Sequence, residues 1–312
     1  PRSDWSSDVC SSDLSAVVFV GYAGQFGYKY GLASTWIGIG NAVLGSLLAW
    51  VVLGRRTRIM TKHLKSMTMP DFFGKRYGSK SLRVAASMIA FIFLIPYTAS
   101  VYNGLSYLFG MAFDIDFRIC VVVMAVLTGV YVIVGGYMAT ALNDLIQGII
   151  MLFGIVAVIA AVLSGHGGFL AAVKKLAHVP SDVMPGAYAS FFGPDPLNLL
   201  GVVILTSLGT WGLPQMIQKF YAIKDEKAVH TGTIISTLFA VVVSGGCYFL
   251  GGFSQISGVT KAADGSVAYD TIIPTMLSSL PDILIGIVIV LVLSASMSTL
   301  SSIVLTSSST LK

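Results

Sequence analysis

Residues Ser294-Ala-Ser-Met-Ser-Thr-Leu-Ser-Ser302 crowd hydroxyl groups into an apolar segment that runs from Ile283 to Leu311. That segment exceeds the roughly 20 residues needed to cross a bilayer. Ser298, Ser301 and Ser302 fall at i, i+3 and i+4, so on a helix they share one face, with Thr299 beside them. Such a face offers oxygen ligands to a small hard cation such as sodium. The competing reading is that small hydroxyl residues let helices pack closely or bond back to their own carbonyls, and the stretch alone does not choose between the two.

A second candidate lies in Gly135-Gly136-Tyr-Met-Ala-Thr-Ala-Leu-Asn-Asp144-Leu-Ile-Gln147, where Asp144 is the acidic residue placed at the edge of an apolar span rather than in a clear loop. The glycine pair allows a tight turn or close packing, and a carboxylate at membrane depth is costly enough to mark a functional site. A plain helix cap is the alternative, and Asn143 could fill that role as well. A third feature is the recurrence of helix-breaking residues, with Gly21, Gly24 and Gly27 near the start and Gly209 and Gly212 beside Pro214 later. Broken helices free backbone carbonyls for a cation and amides for an anion, although Gly and Pro are common in ordinary membrane helices too.

The elements that must carry these residues follow from composition. Hydrophobic residues make up 55% of the 312 and charged residues 11%, with a mean hydropathy of +0.84. A soluble globular protein is excluded by that balance, and an all-α polytopic membrane protein is expected. Apolar spans are expected over about 15–28 (short), 32–53, 84–109, 118–138, 143–164, 197–217, 231–253 and 283–311, about eight in all.

The net charge of +5 reflects topology rather than nucleic acid. Residues 55–83 hold Arg55, Arg56, Arg58, Lys62, Lys65, Lys75, Arg76, Lys80 and Arg83 against Asp71 alone. By the positive-inside rule that loop is cytoplasmic, in a multi-pass protein of the cell membrane. Alternate loops, around Asp114 and Asp116, at 165–196 and at 254–282, carry little or negative charge and fall outside, and 165–196 has room for a short helix. Cys10, Cys120 and Cys247 have no metal-ligand spacing. With no phosphate-cradling loop, no paired carboxylates, and Glu226 as the only glutamate, an enzyme is not expected.

Residues 1–14 repeat Ser-Ser-Asp and change abruptly into Ser15-Ala-Val-Val-Phe-Val-Gly21. They lack the basic start and apolar region of a signal peptide. They read as a non-native leader of translated adapter sequence that has replaced half of the first span, with a polar tail as the alternative. Lys312 follows a helix directly, so the chain is expected to be a fragment at both ends, with residues 15–312 as its transmembrane domain.

Four motifs in order give a resemblance: Met69-Pro-Asp-Phe-Phe-Gly-Lys-Arg-Tyr77, Gly135 to Gln147, Gly212-Leu-Pro214-Gln-Met-Ile-Gln-Lys219-Phe-Tyr-Ala222, and Ala295-Ser-Met-Ser298-Thr299-Leu-Ser-Ser302. Over residues 15–312 the chain resembles the sodium:solute symporter family. The resemblance implies a LeuT-type five-plus-five inverted-repeat transporter fold, here incomplete, with solute and ions near the bilayer midplane. The two broken helices would run through Ser15 and Ala16 and through Gly209, Gly212 and Pro214.

It also implies one sodium held by the Ala295 carbonyl and the Ser298 and Thr299 hydroxyls, completed by carbonyls just before Ser15. A second sodium, as in sialic acid carriers, would lie at Asp144, Ser298, Ser301 and Ser302, so two coupled ions are expected. Solute contacts would come from Ser15, Ala16, Ser34, Thr206, Thr210, Trp211, Pro214 and Gln215. Trp211 reads equally well as a packing aromatic, whereas a lipid-facing Gln215 would carry unsatisfied donors.

Thr206 and Thr210 stand where proline carriers have aromatics, and Ser34 stands where sugar carriers have an acid. A small amino acid or organic acid is therefore the expected solute, with sodium and the bilayer as the other partners and no nucleic acid. The sensory module of a symporter-like histidine kinase, or a cation-conducting protein, are the other classes open to such a chain.

Overall fold

Gly31 ends the first helix because it can adopt φ 62° and ψ −142°, a conformation barred to residues with a Cβ. The computed structural model describes residues 17–66, 68–113, 115–214, 216–217, 220, 226–258, 267–278 and 280–310. Before Gly31 come a π-helical turn, Val17–Tyr22, and α1, Ala23–Tyr30. After it a 3₁₀ turn, Gly31–Ser34, leads into α2, Thr35–Gly40, which passes into π-helical stretches at Asn41–Leu47 and Trp50–Gly54 and then into α3, Arg55–Leu64. The first two expected spans thus share one apolar stretch, Val18–Leu64, divided at Gly31.

The helix α4, Met69–Tyr77, starts at Thr68, whose hydroxyl accepts from the Asp71 N–H, and stops at Gly78 with φ 62°. Asp71, the lone carboxylate of the basic segment, pairs with Lys75 at 2.7 Å and lies 3.7 Å from Arg83. It ties α4 to the start of α5, Lys80–Phe113. The helix α6 spans Phe117–Gly165 and carries two apolar stretches, Phe117–Val130 and Leu145–Gly165. A turn between two spans was expected near Gly135 and Gly136, but the backbone stays helical throughout. Glycine permits a turn without forcing one, and Met138, Ala139, Ala141, Leu142 and Leu145 are strong helix formers that sustain the hydrogen-bond ladder.

The chain then forms α7, Phe169–Ala177, within the segment where a short helix was expected, followed by α8, Pro196–Gly209. Next come α9, Glu226–Gly251, α10, Tyr269–Leu277, and α11, Asp282–Thr310. Among the described residues every regular element is helical. Among the described residues five stretches are long and apolar enough to cross a membrane: Val18–Leu64, Lys80–Gly110, Leu145–Gly165, Val229–Ile256 and Asp282–Ser308, with Pro196–Gly212 shorter.

Small residues set the closest crossing. A Cβ on Gly27 of α1 would overlap the carbonyl of Gly251 on α9, and a Cβ on Gly251 would overlap that of Ala23. Close backbone approach of this kind replaces the hydrophobic driving force that helices lack inside lipid. The large core built around it joins Phe19, Tyr248, Ile155, Leu291 and Ala295, so α1, α6, α9 and α11 share one interior.

The two ends of the bundle can be told apart. α7 and α10 both pack on the 3₁₀ turn Ser254–Ile256, where Gln255 Nε2 donates to the Tyr28 carbonyl at 2.6 Å. The basic segment lies at the opposite end, with α4 against the start of α5 and against α11.

Candidate ion and solute site

The hydroxyl-rich stretch lies wholly on α11 and is buried. Ala295, Ser296 and Ser298 are fully enclosed, Thr299 is 5% exposed, Ser301 1%, and Ser302 is half-buried. Thr299 Oγ1 donates to the Ala295 carbonyl at 2.9 Å, and Ser301 Oγ donates to the Ser298 carbonyl at 2.9 Å. These back-bonds are the local structure the bland reading foresaw. They do not exhaust the acceptors, because a donating hydroxyl keeps its oxygen lone pairs and a carbonyl has two. The Ala295 carbonyl and the Thr299 hydroxyl are therefore adjacent oxygens on one face.

What faces them is set by register. A Cβ on Gly154 of α6 would meet Leu291 Cδ1 of α11 at 2.8 Å, so these two residues are level. The C-terminal end of α6 leads to α7 and the N-terminal end of α11 follows α10, both at the same end of the bundle, so the two helices run antiparallel. Seven residues bring a helix back to nearly the same face. Seven back from Gly154 is Gln147, and seven on from Leu291 is Ser298. Gln147 is thus level with Ser298. By the same rise Asp144 on the α6 backbone is level with Ser301; its side chain lies outside the described set.

Gln147 is the residue that reading the sequence missed. It is 5% exposed, and its Oε1 has no hydrogen-bond partner. A buried amide oxygen without a partner costs about 1–3 kcal/mol, and a cation or a donor would remove that cost. The available signal was its place three residues after Asp144, on the same helical face.

The second helix break has a definite form. α8 ends at Gly209, Thr210–Gly212 tightens into a 3₁₀ turn, and Leu213 is extended at φ −70° and ψ 123° before Pro214 restarts the helix. The hydroxyls of Thr206 and Thr210 donate back to Val202 and Ser207 at 2.9 and 2.7 Å. Trp211 Nε1 donates to the Leu44 carbonyl at 2.8 Å, so its indole N–H is already bonded within the protein. A groove of about 510 Å³ borders the break, lined by Phe73 of α4, Ile89, Phe93 and Tyr97 of α5, and Leu213 and Pro214.

Ser34 is not brought to this break. It is fully buried at the Gly31 turn, and its hydroxyl serves the Gly31 and Tyr248 carbonyls at 2.7 and 2.9 Å. Ser15, Ala16 and Gln215 lie outside the described residues.

The sequence pattern of the sodium:solute symporter family matches residues 6–312, which take in the hydroxyl-rich stretch of α11, the facing α6 and the second helix break. The chain belongs to the sodium:solute symporter family. Its match begins inside the polar leader, at residue 6. A sodium/pantothenate symporter of Haemophilus influenzae is 29% identical over 309 residues, covering 96% of this chain and 60% of that protein.

A sodium/proline symporter of Staphylococcus aureus is 32% identical over 225 residues, 70% of this chain and 42% of its own length. The chain therefore spans about three fifths or less of these relatives. Among solved structures, a substrate-bound outward-open Na+-coupled sialic acid symporter superposes with a TM-score of 0.75 at 18% identity, over 98% of this chain and 64% of that one. That likeness gives the fold, and with it the LeuT-type arrangement expected from the motifs. The family and the apolar helices make the chain part of a multi-pass membrane protein.

Proposed function

We propose that the protein is part of a sodium-coupled symporter of the cell membrane, importing a small amino acid or organic acid by alternating access. The observation that carries this reading is the antiparallel register of α6 and α11. It supports a cluster of buried oxygens drawn from Ala295, Ser298, Thr299 and Ser301 on one side and from Gln147 on the other, with half-buried Ser302 beside it and Asp144 three residues before Gln147 on the α6 backbone. A buried, uncharged set of hydroxyl and carbonyl oxygens suits a small hard cation, and one carboxylate adds the charge that favours sodium over water.

Two ions are proposed, one at Ala295, Ser298 and Thr299 and one at Asp144, Ser298, Ser301 and Ser302. The solute would sit at the broken helices, Thr206, Thr210, Pro214 and Gln215 among its neighbours, where freed amides meet a carboxylate. The solutes for which the two relatives are named, pantothenate and proline, fit that class.

Sodium bridging α11 to the first broken helix would favour one conformation and preorganise the solute site, so binding of each ligand strengthens the other. Each ion moving down the membrane potential contributes about 2.3 kcal/mol per 100 mV. Two ions with a neutral solute make the cycle electrogenic.

The test is uptake by the full-length gene product in proteoliposomes. An imposed inward sodium gradient should drive accumulation of the solute with inward current, and a potassium gradient should not. Current without added solute, or uptake indifferent to sodium, would overturn the reading. Gln147→Leu, which removes the buried amide oxygen at nearly constant volume, should raise the sodium concentration for half-maximal uptake by about five- to tenfold. No change in that concentration would leave Gln147 without an ion-binding role.

A further inference from the structure

The second helix break is fastened on one side and unfilled on the other. Its fastening is to the π-helical stretch Asn41–Leu47, which packs on α8 and takes one side-chain hydrogen bond from α8 and one from the 3₁₀ turn that follows it. Ser207 Oγ donates to Asn41 Oδ1 at 3.1 Å, and four residues on, Trp211 Nε1 donates to the Leu44 carbonyl at 2.8 Å.

The contact is close because glycines line it. A Cβ on Gly45 would stand 3.2 Å from both the Ser207 carbonyl and Thr210 Oγ1, and one on Gly40 would stand 2.5 Å from Val203 Cγ1 and 3.0 Å from Ser207 Oγ. A π-helical turn widens the ladder by one residue per bond, alters the presentation of its carbonyls and recurs at functional sites. Here it presents the Leu44 carbonyl to the indole and Asn41 to the serine. On the far side Leu213 and Pro214 border the 510 Å³ groove. The backbone that opens at Leu213 is thus tied to the second span on one side and borders the groove on the other.

We propose that Asn41 and Trp211 are positioning residues. Together they fix where the second helix breaks, and so where its backbone amides and carbonyls stand for the solute. Neither needs to touch the solute, and an amide inside an apolar span then has a reason to be there. The inference rests on the symport reading for its transport readout, but not for its structural one.

The test uses the full-length protein with two variants. Trp211→Phe keeps the ring and removes the donor; Asn41→Leu keeps the size and removes the acceptor. In proteoliposomes each should raise the solute KM about five- to tenfold while the sodium concentration for half-maximal uptake stays within about twofold.

In nanodiscs, amide hydrogen exchange across residues 207–217 should quicken about tenfold in each variant, with 290–302 unchanged. Unaltered KM and unaltered exchange at the break would overturn the proposal, as would an equal loss of protection in both segments. If the wild-type protein shows no sodium-driven uptake, the symport reading fails, and the exchange pattern alone still decides for or against the positioning role.

Discussion

Replacement of Ser298 by alanine should raise the sodium requirement for uptake by about ten- to a hundredfold, or abolish sodium-dependent uptake within the accessible range. Ser298 is the residue shared by both proposed ions, it is fully buried, and it stands level with Gln147 across the α6–α11 seam. An interaction with a charged group contributes about 1.5–3 kcal/mol net, and losing its oxygen from two sites at once sets the upper end of the range. Ser296 supplies the control. It too is fully buried and back-bonded, with Oγ donating to the Val292 carbonyl at 2.7 Å, yet two residues away it points to a different face of α11. Ser296→Ala should leave the sodium requirement within about twofold. Equal effects from the two substitutions would mean that the serines act through helix packing.

The second large effect falls on folding. Gly27→Val should prevent recovery of folded protein, with a cost above about 3 kcal/mol. The added side chain would overlap the Gly251 carbonyl, which is backbone and cannot rotate away, and the reciprocal contact of Gly251 with Ala23 prevents α9 from sliding. Relief would require separating α1 from α9 and emptying the core they share around Phe19 and Tyr248. Gly201→Ala on α8 meets nothing within 4 Å and should be neutral or slightly stabilising, since alanine is the better helix former. Size-exclusion profiles and thermal unfolding in detergent would separate the two. A monodisperse Gly27→Val protein with unchanged melting would refute the crossing.

The apolar spans were legible because bilayer thickness fixes run length, and the break at Gly209–Pro214 was legible because Gly and Pro weaken helices wherever they fall. Residues 135–147 were not, since a glycine pair is compatible with a turn and with a continuing helix, and local propensity favoured the helix. The face shared by Ser298, Ser301 and Ser302 could be read from spacing alone. Its apposition to Gln147 could not, because register between two helices far apart in sequence is set by packing such as Gly154 against Leu291.

Trp211 shows the same limit from the other side. Its sequence neighbourhood suggested the solute, and its indole proton goes to the Leu44 carbonyl. Asn41 escaped notice altogether, although a lone amide in an apolar span was a visible signal. Ser34 is held at a turn that depends on Tyr248, more than 200 residues away.

Two coupled sodium ions are proposed, one at Ala295, Ser298 and Thr299 of α11 and one at Asp144 of α6 with Ser298, Ser301 and Ser302 of α11. The most direct measurement is the sodium dependence of solute uptake by the full-length protein in proteoliposomes, for the wild type and for Asp144→Ala. The expected result is a Hill coefficient near two for the wild type and near one for the variant, with uptake still sodium-dependent through Ala295, Ser298 and Thr299. A Hill coefficient of one in the wild type, unchanged in sodium dependence by Asp144→Ala, would contradict it.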